Sequence, residues 1–185
     1  MSRKISEQYF AAVDELTGID GRFYRITDSD ESLLVAVAAY DDVPEDGYTT
    51  AFSFGLSDAV HPEWVNGRPE LLISVRSKDH AWGLCMGEIV RNYRQESLFS
   101  YGTILHFRQR VADESPMTSF LIFASTLLDP EDIQLSLPDR KINLVQMYPI
   151  HEDEAEVVRQ VGVEKFFWEL GIDFDDVQRP SVRRA

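Results

Sequence analysis

The sequence predicts an α+β fold, in which a mixed, mostly antiparallel β-sheet carries helices packed on its faces in an α/β sandwich-like arrangement. Three observations predict it. Several strand-like segments follow one another through short connections, which favours antiparallel pairing. Two longer segments place apolar residues at three- and four-residue spacing, as amphipathic helices do. Strands and helices do not alternate strictly, so a doubly wound parallel sheet is not indicated. A length of 185 residues suits one domain. With 44% hydrophobic and 11% aromatic residues, the chain has ample material for a core. We read one domain over 1–185, with an N-terminal helical segment over 1–19 and a C-terminal tail over 177–185.

The elements follow in order. Ile5, Tyr9, Val13 and Leu16 fall on one face of a helix over 4–17, and Gly18 stops it. Phe23 to Thr27 reads as a strand, and so does the apolar run Leu33 to Tyr40. The loop Asp41 to Gly47, rich in acids with Pro44, breaks that run. Tyr48 to Phe54 alternates aromatic and β-branched residues as a strand does, and Glu70 to Arg76 is the next. Between them Asn66-Gly67 marks a turn. The best helix spans 79–96, with Trp82, Cys85, Met86, Ile89, Val90 and Tyr93 on one face and Asp79 as its cap. Gly83 and Gly87 sit one turn apart there, which permits close approach to a sheet. Strands follow at Thr103–Phe107, Ser119–Ser125 and Ile142–Tyr148, with a turn or short helical start at Leu128 to Asp132. Helices over Glu152–Val161 and Val163–Leu170 close the fold.

The search for chemistry returns little. Gly83-Leu-Cys-Met-Gly87 has the spacing of a nucleophile elbow, but an elbow needs a sharp strand-to-helix turn. Cys85 lies instead on the apolar face of a predicted helix, where a thiol packs and stays protonated. One cysteine excludes an intrachain disulfide and a cysteine-based zinc site. His61, His80, His106 and His151 show no HxH, HxxxH or HExxH spacing. No phosphate-cradling glycine loop is present. No cofactor or metal is therefore expected. The remaining route to catalysis is Cys85, or a His and carboxylate group assembled only in space.

A net charge of -14 repels phosphate backbones and anionic membrane surfaces, so we expect no nucleic-acid and no membrane partner. A basic protein partner is favoured by the same sign. The polar N-terminus carries no apolar targeting segment, and the sequence reads as cytoplasmic. Charge is uneven along the chain. Residues 1–60 hold 12 acids against 4 bases, and residues 151–176 hold 9 against 2. If these stretches meet in space, they form a negative face able to steer a basic partner. Glu152, Asp153 and Glu156 are the candidates named for such a face, and solvated helix surface is the alternative reading.

Ser53-Phe-Gly-Leu-Ser-Asp58, Glu70-Leu-Leu72, Trp82 with its helix, Tyr101-Gly-Thr-Ile-Leu-His-Phe107, Met117 to Phe123 and Ile142 to Ile150 occur in ordered succession. This succession resembles the Suppressor of fused domain family over most of residues 20–182. Phe54, Gly55, Ser57, Asp58, Trp82, Gly102 and Pro149 are the motif residues that carry it. They can equally be structural: Gly55 suits a strand end, Ser57 and Asp58 suit a turn or cap, and Pro149 redirects the chain toward the next helix. The resemblance implies protein binding rather than catalysis. The animal member holds zinc-finger transcription factors in a groove between two domains, so its contact residues do not transfer here. Single-domain bacterial relatives look like immunity proteins of polymorphic toxin systems. The resemblance therefore implies a stoichiometric binder of a toxin domain, and the acidic balance favours one with a basic surface. A scaffold sequestering an endogenous protein, and an enzyme using Cys85 or a spatial His/carboxylate site, are the alternatives.

Overall fold

The computed structural model describes residues 2–26 and 35–183. Helix α1 (Ser2–Thr17) leads into β1 (Arg22–Ile26), β2 (Val35–Asp41), β3 (Thr49–Phe54) and β4 (Arg68–Val75). Helix α2 (Ala81–Tyr93) follows, then β5 (Ile104–His106), β6 (Ser119–Phe123), β7 (Gln134–Ser136), β8 (Lys141–Ile150), α3 (Glu154–Val161) and α4 (Val163–Glu169). Thr27 and the first residues of the strand expected from Leu33 lie outside the described residues.

The strands form one sheet in the order β1-β2-β3-β4-β8-β6-β5, with β7 paired to the first residues of β8. Pairing is antiparallel except between β4 and β8, where Arg68–Leu72 run parallel to Ile142–Gln146. The α+β fold read from the sequence is therefore the fold observed. Strand β7 is an addition: its three residues follow the expected turn and were not legible as a strand. Such a short segment carries too few alternations to declare itself.

Side-chain alternation along the central strands builds two faces. Val145 and Met147 of β8 join Val37, Ala51 and Ile73 beneath Trp82, Met86 and Ile89 of α2. Ile142 and Leu144 point the other way, into a cluster with Tyr9 and Val13 of α1. Tyr148 and Ile150 continue that second face against Phe166 and Phe167 of α4 and Val158 of α3. Thus α2 covers one face, and α1 with α3 and α4 covers the other. Both glycines of α2 serve the close approach expected of them. A Cβ on Gly83 would stand 2.7 Å from the Ala51 Cβ, and one on Gly87 would stand 2.3 Å from Ile26 Cγ1. His80, not Asp79, occupies the cap position of α2. Asp79 still accepts the Ala81 amide at 2.9 Å. The helix expected from Glu152 begins at Glu154. The segment read as a tail is packed, since Val177, Arg179 and Ser181 are buried.

Candidate functional site

Glu70 sits in β4 with apolar Leu71, Leu72 and Ile73 beside it, and it is fully buried. A buried carboxylate needs donors. They come from the turn that follows β3. Gly55, with φ of 119°, lets the chain curl so that successive amides point inward. The Gly55 and Ser57 amides donate to Glu70 Oε1 at 2.9 Å each. The Leu56 amide and the Ser53 hydroxyl donate to Oε2, at 3.4 and 2.7 Å. Ser53 Oγ accepts the Leu71 amide in turn. Burial pushes the Glu70 carboxyl up to about 7, against the downward pull of the Ser53 hydroxyl and the Ser57 and Gly55 amides. The Tyr9 and Ser57 hydroxyls are buried without a hydrogen-bond partner among the described residues.

This cradle accounts for two of the motif residues, Gly55 and Ser57. Phe54 is buried against Tyr9, with ring centroids 5.3 Å apart. The Ser57 carbonyl accepts from Arg68 at 3.0 Å and from Arg140 at 2.8 Å. Arg140 also pairs with Asp58 at 2.6 Å and with Asp139 at 2.9 Å. Trp82 is buried, and its indole N–H donates to Glu114 Oε1 at 3.2 Å. The Ser77 hydroxyl bonds the same carboxylate oxygen. Gly102, with φ of 89°, donates its amide to the Ile122 carbonyl. Pro149 lies within β8 opposite Phe120, one residue before the strand ends. Ser53, Gly55 and Ser57 therefore act on one buried carboxylate, whereas Trp82, Gly102 and Pro149 sit elsewhere in the scaffold. The sequence places Glu70 in a strand and in the Glu70-Leu-Leu72 piece of the family resemblance, but assigns it no role. The available signal was an ionisable residue inside an otherwise apolar strand.

The acid-rich stretches meet, at the end of the sheet where β4 finishes. The Tyr48 hydroxyl donates to Asp175 at 3.2 Å, and the Arg76 amide donates to the Asp175 carbonyl at 2.8 Å. Arg76 pairs with Asp173 at 3.2 Å, and Lys78 pairs with Asp46 at 3.1 Å and Asp42 at 3.6 Å. Burial raises the Asp175 carboxyl above its ordinary value, and repulsion from Asp173 and Glu45 adds to it. Glu152, Asp153 and Glu156 lie elsewhere, at and before α3. Glu152 is exposed. Asp153 accepts from the Ser181 hydroxyl, and Glu156 pairs with Arg159 at 2.9 Å.

Cys85 lies inside α2, donating its thiol to the Trp82 carbonyl at 3.0 Å. Burial pushes the thiol far above its ordinary value. No elbow turn surrounds it. Labelling of Cys85 by an aromatic disulfide should proceed at least 100-fold more slowly in native protein than in urea. Equal rates in the two conditions would show that the thiol is accessible. The histidines are held apart by separate partners. His80 bridges the Tyr24 hydroxyl at 2.7 Å and Asp41 at 2.5 Å. His106 meets the Ser119 hydroxyl at 3.1 Å, and His151 meets the Arg179 carbonyl at 2.9 Å.

At the other end of β4 two clefts open. One, of about 380 Å³, is lined by Trp64, Val65, Pro69, Leu98, Tyr101 and Ile133 among others. A neighbouring cleft of about 500 Å³ shares Trp64 to Gly67 with it and is bordered by Arg68, Asp139, Arg140 and Lys141. Neither was legible in the sequence, because their walls come from segments far apart along the chain.

Comparison with known proteins gives these features a family. No curated protein sequence matches the chain. Among solved structures, it resembles a protein assigned as a Suppressor of fused homologue from Neisseria gonorrhoeae FA 1090, with a TM-score of 0.72 at 17% identity over 97% of both chains. It also resembles a chain of the Sufu-Fu complex, with a TM-score of 0.68 at 14% identity over 96% of this chain and 92% of the other. For Drosophila Suppressor of Fused the TM-score is 0.65 at 12% identity, over 95% of this chain and 50% of that longer one. These identities speak for the fold. The Suppressor of fused protein family model matches residues 30–180, a span that includes the Glu70 cradle and every motif residue, and the chain belongs to the Suppressor of fused family.

Proposed function

We propose that this chain is a protein-binding module, an immunity-type protein of the cytoplasm that neutralises a toxin domain with a basic surface by stoichiometric occlusion. The observation that carries this reading is the meeting of two acid-rich stretches, 1–60 and 151–176, at one end of the sheet through the Tyr48, Asp175 and Arg76 contacts. An acidic end of this kind steers basic partners and repels nucleic acid. Family membership supports binding, and one structural relative is solved as a complex with another protein. The Ser53 hydroxyl and the Gly55 and Ser57 amides face inward on Glu70, Asp58 is paired with Arg140, and the thiol is buried.

The test is coexpression with the product of the neighbouring gene. A one-to-one complex and protection from that product are expected. Reversing Asp42, Glu45 and Asp46 to lysine should weaken the complex at least tenfold while leaving the circular dichroism spectrum unchanged. Recovery of the protein alone, without protection, sinks the immunity reading. Capture of an endogenous protein in its place would point to a sequestering scaffold.

A further inference from the structure

The acidic end is not the only surface built for contact. β4 has 8 residues, which at the rise of an extended chain separates its two ends by about 25 Å. At the far end Val65, 81% exposed, and Tyr101, 49% exposed, line the groove. Exposed apolar side chains gathered around a groove mark contact sites. The loop from Trp64 to Gly67 forms a ridge between the apolar groove and the basic cleft.

That ridge is held in place from several sides. The Trp64 indole donates to the Leu98 carbonyl at 3.0 Å. Gln134 Nε2 donates to the Asn66 carbonyl at 3.0 Å and to Asn143 Oδ1 at 2.7 Å. Gly67, with φ of 137°, lies so close to Asn143 that a Cβ there would meet its Oδ1 at 2.7 Å. Because Asn143 Oδ1 faces Gln134, the Asn143 N–H groups are free in orientation to serve a carbonyl in the groove. On the other side of the ridge the lining holds three bases against one acid, Asp139. Arg140 is matched by Asp58 and Asp139. Arg68 donates to a neutral carbonyl, that of Ser57, and Lys141 is exposed. Neither Arg68 nor Lys141 makes an ion pair among the described residues. A positive cleft thus survives in a chain of net charge -14.

We propose that this corner is a docking site for an extended segment of a partner protein that carries an apolar anchor and, within about three residues, an acidic side chain. The anchor fills the groove beside Trp64 and Tyr101. The acid crosses the Val65–Gly67 ridge to Arg68 and Lys141. A small molecule seated in the groove would leave the basic cleft across the ridge unused, which is why the occupant is a protein segment. The inference rests on the reading of the chain as a protein-binding module and names a second surface for it, opposite in charge to the acidic end.

The experiment pans a random heptapeptide phage library on the intact protein, on Val65→Glu and on Lys141→Glu. Both replaced side chains are exposed, so the fold survives, and circular dichroism verifies it. Enriched peptides should pair a large apolar residue with Asp or Glu. Their affinity should fall at least tenfold on Val65→Glu and at least threefold on Lys141→Glu, with the second loss shrinking at high salt. Enrichment of basic peptides overturns the proposal, as does dimerisation of the protein through this face. Peptides that bind the wild type and Val65→Glu equally sink this docking site while leaving protein binding intact. Absence of any enriched peptide, together with failure of the coexpression test, sinks both.

Discussion

Replacing Glu70 by alanine is expected to destabilise the protein by about 3–5 kcal/mol, because several donors lose their only acceptor at once and a cavity opens. The Gly55, Leu56 and Ser57 amides and the Ser53 hydroxyl all converge on this side chain. Glu70→Gln keeps the shape and one acceptor oxygen, so its cost should be about 1 kcal/mol or less near pH 5. The two variants also separate the effect of charge. The folded-state carboxyl titrates near 7, above its ordinary value of 4.5, so the folded protein holds this proton more tightly than the unfolded chain. The resulting stability is fully present below about pH 4.5 and is lost as pH rises through 7. The loss amounts to about 3 kcal/mol by pH 8. Glu70→Gln lacks that titration, so its stability relative to wild type should rise by this amount between pH 4.5 and 8. Urea midpoints across that range give the answer. A wild-type slope retained in Glu70→Gln would show that Glu70 is not the titrating group, and an alanine variant within 1 kcal/mol of wild type would show that the cradle is not needed.

The second large effect is expected at the C-terminal end. Arg179 makes a two-pronged contact with Glu154, at 2.6 and 2.8 Å, with both side chains buried. Glu154 also accepts the His151 amide at 2.9 Å and the Val182 amide at 3.0 Å, so it ties the start of α3 to the last described residues. The Arg179 guanidinium lies 5.6 Å from the Phe174 ring centroid. Arg179→Ala or Glu154→Ala leaves one charge buried without its partner, which costs about 3–5 kcal/mol. Removing both charges together, as Glu154→Gln with Arg179→Met, should recover most of that loss. A double-mutant cycle of Glu154→Gln, Arg179→Met and the two together, followed by urea denaturation, measures it. Additive losses in the double variant would mean that the two residues do not act as a pair.

Both predictions concern residues to which the sequence assigned no role, and the reason is the same in each case. The spacing of apolar residues announced α1 and α2, and alternation announced β3, because both patterns are local. Gly83 and Gly87 announced a close helix-sheet contact because only one turn of helix separates them. The ordered motif pieces pointed to the family for a similar reason: each is a short segment whose turn or packing chemistry is written in adjacent residues. Glu70 announced a strand and a piece of that succession, but not a buried carboxylate. Its donors lie 13 to 17 residues earlier in the chain and reach it only after β3 pairs with β4. Arg179 looked like part of a polar tail, since Glu154 lies 25 residues away and a polar segment gives no sign of where its charge will be buried.

Charge follows the same division. The count of acids in 1–60 and 151–176 was plain from the sequence, and so was the possibility that they meet. The meeting point was not. It falls at Asp42, Glu45, Asp46, Asp173 and Asp175, around the end of β4, and away from Glu152, Asp153 and Glu156. Composition sums charge without regard to position, whereas a docking surface depends on which charges share a face.

Amino-acid order alone determined the fold class, most of the elements, the family and the absence of a sequence motif for catalysis, since these rest on periodicity and on contacts between near neighbours. Only the tertiary structure decided which carboxylates are buried, where the acidic stretches converge, and that Trp64, Tyr101 and Asn143 border one groove. Those properties belong to segments that are distant along the chain and come together only when the sheet closes.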